Sequence, residues 1–518
     1  MLKPITPLKL LISAAAVFYI IFILRTAFRI QGVLYFTLID DAMVSMRYAH
    51  HLAQGFGAVW NIGETPVEGF TNPGWMLVMA LMHLFAIPSS KISLTIMIIS
   101  AVVLLTNTFI VYRLCERIQL GSKFAPLLAA TIAAFYFPLV FWSLRGMEVG
   151  LLTLLINICA LIAIQFTGDG SNRSSVLLAL VFFLVLLVRI DSILQIFIIC
   201  IYLIGKHKFK FQRLALPLLI LVMTIVTIFW FQHAYFGDFL PNTYYQKVVG
   251  ASAWERIKNG ILVFYQFAAR DILMLVLIAL AGVILYKDLR NWEILLLAGL
   301  FLVQVLYSVW VGGDYAEVEV DSANRFIAQG MPALIILFSV AADRILSDLL
   351  SARRPTIQSR PRIQYAISIG VALAALLVIS GKPWTDWAIN NSPLLKADIR
   401  RVKLGLAIAD TTSTQATIAV HAAGQIPYYS DRRTVDLLGL NDPVIAKGPV
   451  TGPFYPGHDK WNYDYSIMQL KPDLIADNWI KLGDFMRGKI DYQELDNGMY
   501  VRKDSKLIDV NGLVKESR

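Results

Sequence analysis

Two adjacent carboxylates, Asp40 and Asp41, stand directly after the first apolar run of this chain. An ionised group at the centre of a bilayer costs roughly 2.5–3.5 kcal/mol or more, so a doublet kept this close to lipid points to a chemical task. A carboxylate beside a second carboxylate, partly withdrawn from water, gains proton affinity, and a general base must come within about 3 Å of the hydroxyl it deprotonates. The structural alternative is that one acid caps the helix that follows, worth about 1 kcal/mol. Capping needs one acid only, and the pair by itself leaves catalysis and capping evenly weighted.

The elements that must position this pair belong to a membrane. With 57% hydrophobic and 16% charged residues and a mean hydropathy of +0.62, the chain is too apolar for a soluble fold. Apolar runs fall near residues 10–30, 73–87, 91–113, 124–142, 147–167, 175–205, 213–235, 272–286, 292–311, 331–348 and 364–380, which predicts about eleven transmembrane helices. Arg189 and Asp191 interrupt the run 175–205. Its halves would rise only about 22 Å against a hydrocarbon core of roughly 30 Å, so it reads as one long or broken helix. The run that follows Lys3 and Lys9 is too long for a signal peptide and lacks a small-residue cleavage site, so it reads as a retained span with a cytoplasmic N-terminus.

Eleven spans put the basic loops Lys206–Arg213 and Arg353–Arg362 inside, and residues 31–72, 236–271, 312–330 and all after 381 outside. The basic segment Arg113–Lys123 then falls outside, against the positive-inside rule. The formal charge of +10 is accounted for by such short loops, which excludes a nucleic-acid partner. Cys115, Cys159 and Cys200 have neither metal-ligand nor disulfide-scaffold spacing and read as packing residues. The chain divides into a transmembrane unit over 1–380, whose first outer loop is 31–72, and a small α/β domain over 381–518. The latter has strand-like runs at Ala416–Val420 and Thr434–Leu438 between Gly and Pro punctuation.

After the acids, residues 42–54 read as a short amphipathic helix at the membrane surface, ended by Gly55. Asp40-Asp41, Arg47-Tyr48-Ala49, Gly55-Phe56-Gly57, Val59-Trp60-Asn61 and Glu68-Gly69-Phe70-Thr71-Asn72 then follow in order. This series resembles the first periplasmic loop of GT-C glycosyltransferases related to the mycobacterial terminal arabinofuranosyltransferase and the LphB-type membrane proteins. Three later segments extend the resemblance. Tyr235–Lys247 is similar to a later outer loop of that family, and Gly312-Gly313-Asp314 with Arg325-Phe326 to its Gly-Gly-Asp…Arg-Phe element. Asp436–Pro443 with Gly457-His458-Asp459-Lys460 is similar to its C-terminal domain. Glu317, Glu319 and Asp321 lie between Asp314 and Arg325.

The resemblance implies a mainly α, polytopic GT-C fold with a C-terminal periplasmic α/β domain, set in the bacterial inner membrane with its site on the outer face. It implies transfer of a sugar, a pentose such as arabinofuranose ahead of a hexose, from a polyprenyl-phosphate donor to a glycan, lipid or protein hydroxyl, with inversion. Asp40 would be the base, with Asp41 orienting or substituting. A phosphate leaving group needs fixed cations, and Lys247, Arg325 and Arg47 are the candidates, against the commoner role of such residues in headgroup contact. Tyr48, Asn61, Glu68, Asn72, Asn242, Asp314 and His458 are candidates for holding substrate, although turn chemistry accounts for Asn equally well. Trp60, Tyr244, Tyr245 and Trp310 could stack on sugar, against the ordinary role of an interfacial belt.

Glu148 falls on the cytoplasmic side of the eleven-span count and receives no catalytic role. His421 and His458 are too far apart in sequence to suggest a metal site. No cofactor is certain, and a divalent cation could bridge the acid pair and the phosphate. A transporter or flippase of lipid-linked sugars predicts ionisable residues deep in the spans and two related halves, whereas the acids here cluster at a boundary and no repeat is apparent. An oligosaccharide polymerase or ligase would lean on a large basic outer loop. A purely structural outer domain leaves Asp40 and Asp41 without a purpose.

Overall fold

A backbone in lipid must satisfy its own polar groups, and so the apolar first part of the chain folds as helices. The computed structural model describes residues 6–166, 172–206, 214–270, 290–314, 324–353, 361–495 and 498–517, with isolated positions between 271 and 289. Its helices begin α1 (Pro7–Leu24), α2 (Asp40–Ala53), α3 (Pro73–His83), α4 (Ser89–Ile118), α5 (Phe124–Phe135) and α6 (Phe137–Leu144). They continue α7 (Val149–Gln165), α8 (Asn172–Val188), α9 (Ile193–Lys206), α10 (Ala215–Phe236), α11 (Asn242–Val248) and α12 (Ala253–Arg270). Trp292–Val311, Met331–Arg353 and Pro361–Ile379 complete the bundle. Among the described residues, four helices are long and apolar enough to cross a membrane, and two bent pairs bring the number to six. The expected run at 272–286 falls almost wholly outside the described residues, as do Glu317, Glu319 and Asp321.

Contacts sort the helix ends into two sets, and two expectations change. The run at 73–87 forms only α3, whose 11 residues rise about 16 Å. Both its ends lie at the Asp40 end of the bundle: Asn72 bonds Ser45 of α2, and His83 bonds Tyr428 of the C-terminal part. It therefore does not traverse the bundle. The run at 175–205 is a hairpin instead of one span. α8 and α9, of 17 and 14 residues, meet at a turn Ile190–Ser192. Arg189 at that turn bonds Glu148, whereas Lys206 at the far end of α9 bonds Glu293, at the start of Trp292–Val311. The reason is electrostatic, because Arg189 and Asp191 pair with each other at the turn and need not be buried in mid-span. The far end of α4 likewise meets Asp343 through Gln119 and Ser122.

Strands β1 (Phe28–Ile30) and β2 (Val33–Tyr35) pair antiparallel after α1, and beyond the bundle β3 (Thr417–Val420), β4 (Arg433–Asp436), β5 (Leu474–Ile475), β6 (Tyr492–Glu494) and β7 (Tyr500–Arg502) form a sheet in the order β4-β3-β5-β7-β6. β3 is parallel to β4 and β5, and β7 runs antiparallel between β5 and β6. Ile408, Ile418, Val420, Ile426 and Leu474 pack in one apolar cluster, and Val435, Leu437, Trp461 and Ile475 in another. The sheet assembly is keyed to the bundle by a fully buried ion pair between Arg145, after α6, and Asp398 of the helix Leu395–Thr411.

Candidate active site

Ile39 is the N-cap of α2 and no side chain caps the helix, so neither acid has the capping role considered above. Both sit in its first turn, where the helix dipole favours negative charge. Asp40 serves another helix. Its Oδ1 accepts from the backbone N–H of Gln425 at 2.8 Å, and its Oδ2 from that of Gly424 at 3.2 Å, at the start of the helix Gln425–Ser430. Only glycine fits at 424, since a Cβ there would stand 1.8 Å from the Asp40 carbonyl oxygen. Burial raises the Asp40 pKa above its ordinary value, against the opposing pull of Arg401 and the Gln425 N–H.

Asp41 instead meets Arg325, whose Nη1 donates to its Oδ2 at 2.8 Å. The Arg325 backbone N–H donates to Asp314 Oδ2 at 3.0 Å, and its Nε lies 3.4 Å from the same oxygen. Burial pushes the Asp41 carboxyl up, but Arg325, Lys247 and His458 together hold it below the usual range. Lys247, on α11, is pushed down to about 8, first by burial and then by Arg325. Burial also lowers His458 to about 4, although its Nδ1 lies 3.0 Å from the Pro456 carbonyl oxygen.

Glu68 accepts from Gln232 at 3.0 Å, and burial pushes its carboxyl up to about 8. Asn72 accepts from Ser45 at 2.9 Å and donates to Glu148 Oε2 at 2.8 Å. Glu148 Oε1 takes Arg189 Nη1 at 2.7 Å, and Arg189 grips Asp191 through Nε at 2.9 Å and Nη2 at 2.6 Å. The Tyr307 hydroxyl donates to Asp191 as well. Sequence reasoning assigned no role to Glu148, Arg189 or Asp191, and the eleven-span count put Glu148 on the opposite face from the acids. Its bond to Asn72 of the first loop corrects that. The available signal was an Arg and an Asp inside an apolar run.

Five of the expected ligands point elsewhere. The Arg47 guanidinium lies 5.4 Å from the Trp60 ring and donates to the carbonyls of Trp60 at 2.6 Å, Arg432 at 2.8 Å and Pro427. It is a strut between α2 and the C-terminal part, with Nε and both Nη atoms engaged, and is not free for phosphate. Asn61 joins the strut, donating to the Thr434 carbonyl at 2.8 Å and accepting its N–H at 3.0 Å. The Tyr48 hydroxyl lies 2.7 Å from the Val67 carbonyl oxygen and 2.9 Å from Asn441 Oδ1. Asn242 donates to the carbonyls of Gly439 and Leu440 at 2.8 and 2.9 Å. Arg47, Trp60, Asn61, Tyr48 and Asn242 share a physical reason: loops folded against one another bury backbone groups, and these side chains satisfy or cover them.

A cavity of about 450 Å³ collects Asp40, Asp41, Glu68, Asn72, Tyr244, Lys247, Asp314, Arg325 and His458, with Arg189, Asp191 and His421. Apolar side chains line it as well, among them Val44, Leu186, Ile190, Ile228, Phe229, Trp310 and Phe326. Cations beside a greasy flank suit an anionic head carried on a hydrocarbon tail. His421 stacks on Trp479, and its Nδ1 lies 2.8 Å from Asp477, which raises the imidazole pKa against the effect of burial. Three of the four oxygens of the acid pair accept from the Gly424 and Gln425 N–H groups and from Arg325.

Residues 395–510 match the family described as Domain of unknown function (DUF8728). No curated protein matches the chain. ArnT from Cupriavidus metallidurans bound to undecaprenyl phosphate superposes with a TM-score of 0.50 at 13% identity, over 82% of this chain and 85% of that one. The oligosaccharyltransferase AglB from Archaeoglobus fulgidus, in complex with an inhibitory peptide and a dolichol-phosphate, superposes at 0.52 with 11% identity, over 96% of this chain and 74% of that one. Arabinofuranosyltransferase AftD from Mycobacteria aligns at 0.40 with 16% identity, over 81% of this chain and 31% of that one, too loosely to bear on which sugar is moved. At such identities the likeness is one of fold, and the chain is accordingly a multi-pass helical membrane protein with the GT-C glycosyltransferase fold.

Proposed function

We propose that this protein transfers a sugar from a polyprenyl-phosphate donor to an acceptor hydroxyl, with inversion. The observation that carries the reading is the meeting, in one cavity, of Asp40 and Asp41 with Lys247, Arg325 and apolar side chains. Arg325 grips the phosphate, Lys247 adds a point charge, and the prenyl chain lies along Ile228, Phe229 and Trp310. As the acceptor oxygen attacks the anomeric carbon from the face opposite the phosphate, Asp40 takes its proton. The sugar–phosphate C–O bond breaks with its electron pair left on the phosphate, where the fixed cations stabilise the added charge. Asp40 suits the base because burial favours its protonated form, while Asp41, held ionised, orients Arg325. No step passes through a divalent cation. Arabinofuranose is the sugar this reading carries over from the loop motifs, and a glycan, lipid or protein on the outer face is the acceptor.

The reading also sets the chain in a membrane with about eleven crossings, a periplasmic site and the domain 381–518 outside. In this reading α3 lies along the outer surface and the α8–α9 hairpin supplies two crossings, which keeps eleven with different members. Arg113–Lys123 then shares the inner face with Lys206, as the positive-inside rule asks. In the test, purified protein receives a short-chain prenyl-phosphate sugar and candidate acceptors. Wild type transfers and folded Asp40→Asn does not; full transfer by both folded Asp40→Asn and Asp41→Asn would end the base assignment.

A further inference from the structure

α2 is fastened to the helix Gln425–Ser430 at three places. Asp40 holds its start, Arg47 donates to the Pro427 carbonyl, and at the other end His51 meets Asp431, the residue that closes the helix with a φ of 49°. The first two places are hydrogen-bonded, and the third is built differently. His51 Nδ1 lies 2.8 Å from the Val59 carbonyl oxygen, which can only accept, so Nδ1 carries a proton. Its Nε2 lies 4.0 Å from Asp431 Oδ1.

His50 supplies a further donor atom. Among the described residues, His50, His51 and Asp431 are the one group of three His, Cys, Asp or Glu side chains with ligand atoms all within 4.8 Å of one another. Two imidazoles and a carboxylate are a zinc-type ligand set, and a ring N–H given to a backbone carbonyl is the usual outer support of a metal-bound histidine. His83 is not a fourth ligand, because its nitrogens are engaged by the Met79 carbonyl at 2.8 Å and the Tyr428 hydroxyl at 3.0 Å. The contact of His50 with Gln54, at 3.0 Å, is the hydrogen bond a cation would displace.

We propose that His50, His51 and Asp431 bind a divalent cation of the zinc class, with water completing its coordination, and that the ion clamps the end of the acid-bearing helix to the C-terminal part of the chain. The site is separate from the cavity and independent of the sugar-transfer reading. The test uses the full-length protein in detergent, stripped with a chelator and then offered Zn²⁺ or Co²⁺ alone. Elemental analysis should find about one ion per chain, and bound Co²⁺ should give the visible absorption of a four-coordinate site. Asp431, whose side chain is 63% exposed, tolerates Asp431→Asn without threat to the fold, and this variant and His50→Gln should each weaken binding roughly tenfold or more. Asp41→Asn should bind as wild type does. Absence of a bound ion in wild type, undiminished binding in both site variants, or binding lost only in Asp41→Asn would each overturn the proposal.

Discussion

Arg325 donates to Asp41 at 2.8 Å and holds Asp314 as well, so one guanidinium ties the acid-bearing helix to the loop after Trp292–Val311. Hydrogen bonds to charged groups are worth about 1.5–3 kcal/mol, and Arg325→Ala should lower sugar transfer by roughly ten- to a hundredfold. Arg325→Lys keeps the charge without the fork and should recover only part of the rate. Initial rates with a prenyl-phosphate sugar decide the matter. Equal rates in Arg325→Ala and wild type would remove Arg325 from phosphate binding.

Two groups of opposite sign bracket the pH range of activity. Asp40 must be deprotonated to act as base, and burial raises its pKa, so transfer should climb as pH rises through that raised value. Lys247 must be protonated to hold phosphate, and its ammonium loses its proton at about 8, so transfer should fall above that. Lys247→Arg stays charged and should keep the acid limb while losing the alkaline one. A pH profile of kcat/KM in which that variant retains the alkaline limb would assign it to another group.

Arg145 and Asp398 form an ion pair with side chains 0% and 1% exposed. Arg145→Met would leave Asp398 buried without its cation, its remaining partner being Gln425 at 2.8 Å. The expected loss is about 3–5 kcal/mol, and the double variant Arg145→Met with Asp398→Leu should recover most of it. Thermal unfolding in detergent reports both. A single variant as stable as wild type would mean the pair does not key the sheet to the bundle.

Gly424→Ala would set a methyl carbon 1.8 Å from the Asp40 carbonyl oxygen, a backbone atom that cannot step aside alone. α2 should shift, Asp40 should lose its two N–H donors, and transfer should drop roughly a hundredfold in a protein that still folds. Rate and melting temperature measured together separate this from simple unfolding. An unchanged rate would show that α2 has room to spare.

The acids and the motif cations were legible in sequence because their types have few structural uses near lipid. Lys247, Arg325 and Asp314 stand in short motifs, and the cavity draws them together with Asp40 and Asp41. Arg47, Asn61 and Asn242 stand in the same motifs yet satisfy backbone carbonyls, because spacing fixes where a residue lies and not which way its amide or guanidinium turns. Glu148 fell on the wrong face because the run at 73–87 counted as a crossing although α3 does not traverse the bundle, and Arg189 and Asp191 were hidden by arithmetic. A 17-residue and a 14-residue helix look too short to cross separately, so the turn between them, and the side to which it returns the chain, went unread. Local strands read more easily: the runs at 416–420 and 434–438 fold as β3 and β4, but the second stops at Asp436, whose carboxylate gathers the N–H groups of Leu438, Gly439 and Asn441 into a turn.

The three fastenings between α2 and the helix Gln425–Ser430 bear on how a substrate gets in. A lid must swing, and this one cannot swing without dragging the base away from the chemistry, because the Asp40 carboxylate is itself one of the latches. Ile228 and Phe229 of α10 and Trp310 of Trp292–Val311 line the cavity, and on the proposed reading the carrier enters past them.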